Sequence, residues 1–246
     1  MQLFDGFFDP GGGWAVISRF THVLVGLTWV GLLYFFNVVQ APAFAELSDG
    51  ARGEALRTVT ARALRWFRWA SVLTVAFGLL LVVGKGDGEQ IGEYMRSSQG
   101  YAISTGMLLG VVMFVNVWTV IWPAQKVVIA SATAVAGGGA ADPEAPTAAR
   151  RAARASRVNA LFSIPMLWFM VFTAHLASIY DPPTNKGAYL GIVIAVVVVL
   201  QVSALGRLGG LDNVVNRALF DDHRRTIGAG FAVLVLFQLL YELVLS

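Results

Sequence analysis

Two histidines, His22 and His175, lie inside apolar stretches that are long enough to cross a lipid bilayer. An imidazole in hydrocarbon is costly, so it normally binds a metal, a haem or a proton, or hydrogen-bonds to another polar group. The third and last histidine, His223, lies in a charged segment between apolar runs. The chemistry of the protein therefore depends first on whether His22 and His175 face one another.

The two histidines have similar predicted depths in the membrane. His22 follows Trp14 by eight residues, and His175 precedes Tyr180 by five. The helical rise places them about 12 Å and about 7.5 Å from the ends of their predicted spans. Two imidazoles at similar depth on different helices could ligate opposite faces of one haem b, with bis-histidine ligation of the iron.

Arg19 and Gly26 share the helix face of His22. Arg19 precedes His22 by three residues, and Gly26 follows it by four. Arg19 would lie nearer the outer surface, where it could pair with a haem propionate. Gly26 would leave room for a macrocycle, although small residues serve close helix packing equally well. We therefore take His22, His175, Arg19 and Gly26 as candidate cofactor-binding residues, with the two histidines as iron ligands.

Two other interpretations of the histidines stay open. Each imidazole could simply hydrogen-bond to a backbone carbonyl or a neighbouring asparagine. Alternatively, both could bind copper or zinc, with Met166 and Met170 as weak supporting ligands.

The elements that must position these residues are membrane-spanning helices. The chain has 246 residues, of which 57% are hydrophobic and 13% charged, and its mean hydropathy is +0.66. These values are typical of membrane proteins. We predict an all-α integral membrane protein, a bundle of about six transmembrane helices. The predicted spans are Trp14–Val39, Trp66–Gly84, Tyr101–Trp122, Asn159–Tyr180, Ala188–Gly206 and Thr226–Leu245.

The distribution of basic residues predicts the orientation of the bundle. Fourteen of the eighteen Lys and Arg residues fall in three alternate segments, 40–68, 123–158 and 207–225. Because cytoplasmic loops carry the excess of Lys and Arg, these segments are predicted to be cytoplasmic and both termini periplasmic. The net charge of +3 then reflects loops that meet anionic lipid, and nucleic acid is not an expected partner.

The whole chain, 1–246, is predicted to form a single transmembrane domain. Within it, residues of about 43–64 mix charged and apolar side chains, which favours an interfacial helix. Residues of about 134–149 are rich in Gly, Ala and Pro, which favours a flexible cytoplasmic linker. The chain has no cysteine, which excludes disulfides, iron–sulfur ligation and covalent attachment of a c-type haem to it.

Three blocks resemble the membrane domain of the PuuD-type urate hydroxylases, also called cytochrome c urate oxidases. They are HVLVGLTWVGLLYFFNVVQAPAFAE (His22–Glu46), NVWTVIWPAQKVV (Asn116–Val128) and SRVNALFSIPMLWFMVFTAHL (Ser156–Leu176). The resemblance runs from the first span through the fourth, is weaker over the last two, and includes both membrane histidines.

The resemblance implies a multi-pass oxidoreductase of the bacterial inner membrane that oxidises urate and passes electrons to a cytochrome c. Family members typically carry that cytochrome as a carboxy-terminal domain, whereas this chain has no CxxCH. A separate periplasmic cytochrome c is then the expected redox partner. The alternatives are a non-enzymatic cytochrome or structural subunit of a larger respiratory or photosynthetic complex, and a copper-handling membrane protein.

Overall fold

The computed structural model describes residues 4–9, 11–86 and 88–245, and this part of the chain is helical with no strand. Eight helices are formed by the described residues, six of which are long and apolar enough to cross a membrane. We number them in chain order: α1 Gly13–Glu46, α2 Asp49–Val83, α3 Gly88–Arg96, α4 Ser98–Ala136, α5 Ala145–His175, α6 Lys186–Ala204, α7 Val214–Leu219 and α8 His223–Leu245. The predicted all-α fold with six membrane-spanning helices is confirmed.

Several of these helices are much longer than the apolar runs that predicted them. Helices α1, α2 and α4 have 34, 35 and 39 residues, which corresponds to roughly 50–60 Å at 1.5 Å per residue, against about 30 Å for the hydrocarbon layer. Most of the excess lies at the ends that were predicted to be cytoplasmic, because polar and charged side chains remain compatible with a helix once it leaves the lipid. The helices therefore extend beyond the predicted spans on the side assigned to the cytoplasm.

The two connecting segments that were predicted to be cytoplasmic are both largely helical. Residues of about 43–64, predicted as an interfacial helix, are divided between the end of α1 and the beginning of α2. The chain turns at Leu47 and Ser48, and the Ser48 hydroxyl caps α2 by accepting from the backbone N–H of Ala51. Of the predicted linker at about 134–149, only residues 137–144 lie outside α4 and α5. Membrane contact of the first segment and flexibility of the second stay predictions.

Two of the long helices widen locally just before a proline. Phe35–Gln40 in α1 and Val117–Ile121 in α4 form π-helical turns, followed by Pro42 and Pro123. A proline has no N–H for the carbonyl one turn earlier, and a wider turn is one way for the helix to accommodate it. Both prolines are thus accommodated without ending their helices.

Helix α5 is the central helix of the bundle. It contacts α1, α4, α6 and α8, and 67% of its most apolar window is buried, against 33% or less in the other five spans. Pro165 lies inside it and leaves the Leu161 carbonyl without its usual helical donor. Gly230 of α8 packs against this site, where an added Cβ would lie 2.9 Å from the Leu161 oxygen. Close approach of the two helices therefore depends on that glycine.

Side-chain amides connect the helices around α5 at one level. Asn116 of α4 donates to Asn159 of α5 at 2.7 Å and exchanges hydrogen bonds with Gln201 of α6 at 2.6 and 2.9 Å. Asn37 of α1 donates to Ser156 of α5 at 2.7 Å. Interhelical hydrogen bonds of this kind hold membrane bundles together.

The periplasmic position of both termini stays a prediction, and the first three residues and Ser246 lie outside the described part of the chain.

Candidate functional site

His22 lies between α1 and α2. Its Nδ1 is 2.8 Å from the backbone oxygen of Thr74 in α2, and the side chain is half-buried. A carbonyl oxygen can only accept, so Nδ1 carries the hydrogen, and in neutral imidazole the lone pair is on Nε2. No hydrogen bond to Nε2 is formed within the described residues. Histidines that bind metals typically have this arrangement, in which a carbonyl fixes the tautomer and orientation of the ring.

Gly78 of α2 makes room for the His22 ring. A Cβ at position 78 would lie 3.0 Å from Cε1 and 3.2 Å from Nδ1 of His22. Gly78 was not among the residues selected from the sequence, because nothing in a single apolar helix indicates which residue of a neighbouring helix it faces. Gly26 faces the same interface, where an added Cβ would contact the Thr74 methyl group at 3.7 Å. This position suits close packing of α1 on α2, and a role of Gly26 in cofactor binding stays a prediction.

His175 is the last residue of α5 and is exposed. The fourth span was predicted to run to Tyr180, but α5 ends at His175, and residues Ala177–Ile179 form a short 3₁₀ turn. The depth of 7.5 Å derived from a continuous helix is therefore wrong, because residues beyond His175 do not rise as an α-helix does. The position of His175 therefore has to be counted from a contact earlier in α5.

A contact between α1 and α5 provides that measure. The hydroxyls of Tyr34 in α1 and Ser163 in α5 are 3.2 Å apart. His22 precedes Tyr34 by twelve residues, and His175 follows Ser163 by twelve. Because the two helices run in opposite directions, each histidine lies about 18 Å from this contact, towards the side predicted to be outer. Counted from the Asn37–Ser156 hydrogen bond instead, the separations are fifteen and nineteen residues, so the two histidines lie within about 6 Å of one level. No hydrogen bond joins them within the described residues.

Arg19 and Lys85 line a pocket at the end of the α1–α2 interface that is predicted to face outwards. The cavity measures about 220 Å³ and is completed by Ala15, Leu81 and neighbouring glycines. Partial burial lowers the pKa of Lys85, and the charge of Arg19 lowers it further. The Lys85 ammonium also lies 4.3 Å from the ring centroid of Tyr94. Two cations that repel one another across a pocket favour an anion between them.

Lys85 was not among the residues selected from the sequence. It directly follows the second span, where a basic residue is usually explained by contact with lipid headgroups. Lys85 and Arg19 are 66 residues apart in the chain, and their proximity depends on the packing of α1 against α2. The available signal was that Lys85 and Arg19 are two of only four basic residues predicted to lie at the outer side.

The other candidate residues selected from the sequence lie in surroundings that suit packing or helix ends. Met166 and Met170, considered as weak copper ligands, pack against Gly106 and Gly110 of α4, with Met170 Cε 3.3 Å from an added Cβ at position 106. His223 is the first residue of α8, next to Asp222 on the side opposite the other two histidines. Within the described residues no cluster of three or more His, Asp or Glu side chains could hold a metal ion.

The fold and these positions define a six-span helical membrane protein with two histidines at similar levels and a cationic pocket beside one of them. Residues 91–207, just under half of the chain, match the family model described as urate oxidase N-terminal. This match confirms the resemblance to a urate hydroxylase-type membrane domain. No curated protein and no solved structure matches the chain.

The matched segment differs in extent from the resemblance seen in the sequence. It begins in α3, includes α4, α5 and α6, and ends at Arg207. It therefore contains His175 and the second and third blocks, whereas the first block with His22 lies outside it. It also includes the fifth span, where the resemblance was expected to be weaker.

Proposed function

We propose that the protein is a membrane-bound haem b oxidoreductase of the urate hydroxylase type, which passes electrons to a separate periplasmic cytochrome c. The family match over residues 91–207 supports the urate hydroxylase type. The haem proposal is based on the two histidines, because no other pair of strong metal-ligand side chains occurs at this level within the described membrane spans.

The observation that carries the proposal is the hydrogen bond from His22 Nδ1 to the Thr74 carbonyl. It uses the nitrogen that does not bind iron in most haem proteins and leaves Nε2 with a lone pair. A histidine that served only to satisfy its own polarity would not need the second nitrogen to be available. The similar level of His22 and His175 supports ligation of one macrocycle by both: it is equal when counted from the Tyr34–Ser163 contact and agrees within about 6 Å when counted from the Asn37–Ser156 hydrogen bond.

The remaining residues of the proposed site are cationic and would bind the anionic groups of a ligand. Arg19 lies one helical turn outward from His22 and would hold a haem propionate, and Lys85 adds a second positive charge to the same pocket. Haem b, when bound, would supply one-electron transfer. If His22 and His175 both held the iron, urate, an anion at neutral pH, would have to be recognised by protein groups. The outer position of the pocket favours electron exit towards the periplasmic side.

Absorption spectra of the purified protein test the proposal. We expect a haem band in the wild-type protein that is lost in both His22→Ala and His175→Ala. The matched control is His223→Ala, which removes the third histidine and should leave the haem band unchanged. Full haem content in either of the first two variants would contradict joint ligation.

Reduction by urate tests the enzymatic part separately. Urate added without oxygen should reduce the haem band, and a periplasmic c-type cytochrome should reoxidise it. A band that stays oxidised with urate would refute the enzyme and favour a non-enzymatic cytochrome subunit. Arg19→Gln should weaken haem retention relative to Arg96→Gln, which removes an exposed outer charge that does not line the pocket.

A further inference from the structure

A second basic pocket lies at the opposite end of the bundle, between α4, α5 and the turn that follows α6. It measures about 330 Å³ and is lined by Val120, Leu205, Leu211, Arg151 and Arg207. Three of these side chains are apolar and two are cationic. The pocket is on the side that carries most of the basic residues, which the charge distribution assigns to the cytoplasm.

The two arginines of the pocket differ from their neighbours in having no acidic partner. Arg150 and Arg154 both pair with Asp212 in the loop after α6. Arg151 and Arg207 form no ion pair within the described part of the chain. Their charges are therefore available to a ligand, while the neighbouring pairs hold the loop that forms one wall of the pocket.

The lining of the pocket becomes more polar from the middle of the membrane towards the predicted cytoplasmic side. The amide network of Asn116 and Gln201 marks one level of the bundle. Val120 and Leu205 each follow one of these amides by four residues, about 6 Å closer to the cytoplasm. Arg151 precedes the asparagine of α5 in the same network by eight residues, or about 12 Å. Val120 and Leu205 therefore lie nearer the middle of the membrane, and Arg151 lies nearer the predicted cytoplasmic side.

This order matches an anionic phospholipid and not a soluble anion. A lipid has an ester and acyl region directly below its phosphate, whereas free phosphate has no part that would use an apolar wall. Basic pockets between membrane helices on the cytoplasmic side bind anionic headgroups. We propose that this pocket binds an anionic phospholipid of the cytoplasmic leaflet, with its phosphate on Arg151 and Arg207 and its upper acyl region against Val120 and Leu205.

Native mass spectrometry of the purified protein with added phosphatidylglycerol measures the binding directly. The double variant R151Q/R207Q should lose affinity about thirtyfold, equivalent to about 2 kcal/mol, because each basic residue near an anionic surface contributes about 1 kcal/mol. Each single variant should lose about fivefold by the same reasoning. R151K/R207K keeps both charges and should retain most of the affinity, which separates loss of charge from loss of folding.

Arg224→Gln is the matched control, because it removes an exposed arginine from the same side that does not line the pocket. It should bind phosphatidylglycerol as the wild type does. Equal affinity of R151Q/R207Q and Arg224→Gln would overturn the proposal, as would equal binding of phosphatidylcholine. Competition by inorganic phosphate at the lipid concentration would also overturn it and would identify a soluble-anion site.

Discussion

Replacement of Gly78 by alanine perturbs the His22 site without removing any group that takes part in it. The added methyl group would lie 3.0 Å from Cε1 and 3.2 Å from Nδ1 of the imidazole. Both distances are shorter than ordinary van der Waals contact, so the ring has to move by a few tenths of an ångström. That movement strains the 2.8 Å hydrogen bond to the Thr74 oxygen.

The expected cost follows from opposing contributions. Alanine is favoured over glycine inside a helix by about 0.8–1 kcal/mol. Overpacking a close contact costs about 1–3 kcal/mol, and weakening a part-buried hydrogen bond costs up to about 1 kcal/mol. We expect Gly78→Ala to reduce the free energy of unfolding by about 1–2 kcal/mol, a decrease of roughly 4 °C in Tm for a chain of this size.

Thermal unfolding in detergent, together with haem content, measures the effect. The control is Gly191→Ala in α6, where an added Cβ meets no atom within 4 Å. That variant should be as stable as the wild type or slightly more stable, since it gains helix propensity without a clash. Equal Tm values for Gly78→Ala and Gly191→Ala would refute the proposed contact, because the two changes differ only in what the methyl group meets.

Three further predictions concern the packing and charge of the bundle. Gly230→Ala would place a methyl group 2.9 Å from the Leu161 carbonyl oxygen, and because backbone cannot yield as a side chain can, we expect a loss of about 2 kcal/mol in chemical unfolding. Asn116→Leu removes the donor to Asn159 Oδ1 and both hydrogen bonds of the Gln201 amide, while Asn159 Nδ2 keeps its bond to the Met113 carbonyl. The change should cost about 1–2 kcal/mol; an unchanged unfolding midpoint would show that these groups find other partners. The hydrogen bond from Arg150 holds the pKa of the Asp212 carboxyl below its ordinary value of 3.8, so the pair stabilises the fold above that value and the effect is lost as pH falls through the lowered pKa. Wild type should accordingly be slightly more stable than Asp212→Asn at neutral pH and equal to it in strong acid; a difference that persists in strong acid would contradict the ion pair as its cause.

The six spans could be predicted because lipid imposes a simple requirement on sequence, about 20 consecutive apolar residues. The ends of the helices could not, because no such requirement acts outside the lipid. Ala145 and the arginines after it continue α5 as a helix, although their composition does not distinguish a helix from a polar connection. The π-helical turns before Pro42 and Pro123 could not be predicted either, since they reflect the local accommodation of a proline by the helix backbone.

The histidines could be identified from sequence because polar residues are rare inside apolar runs, and their number and depth are directly countable. Their surroundings depend on which helix faces which. The Thr74 carbonyl, Gly78 and Lys85 are all on α2, and their relation to His22 and Arg19 results from the packing of α1 against α2. A single sequence contains no information on that register, so these contacts required the structure.

Helices α4 and α5 extend beyond the predicted membrane spans, and this extension could make the small protein suitable for single-particle electron cryo-microscopy. A detergent belt would cover most of a 26.4 kDa bundle and leave little for alignment. Residues 137–144 join the two helices at the end of this extension, and exposed connections of this kind tolerate insertions well. A folded domain inserted there, with its terminal helices continuous with α4 and α5, would act as a rigid fiducial that reports the orientation of the whole bundle.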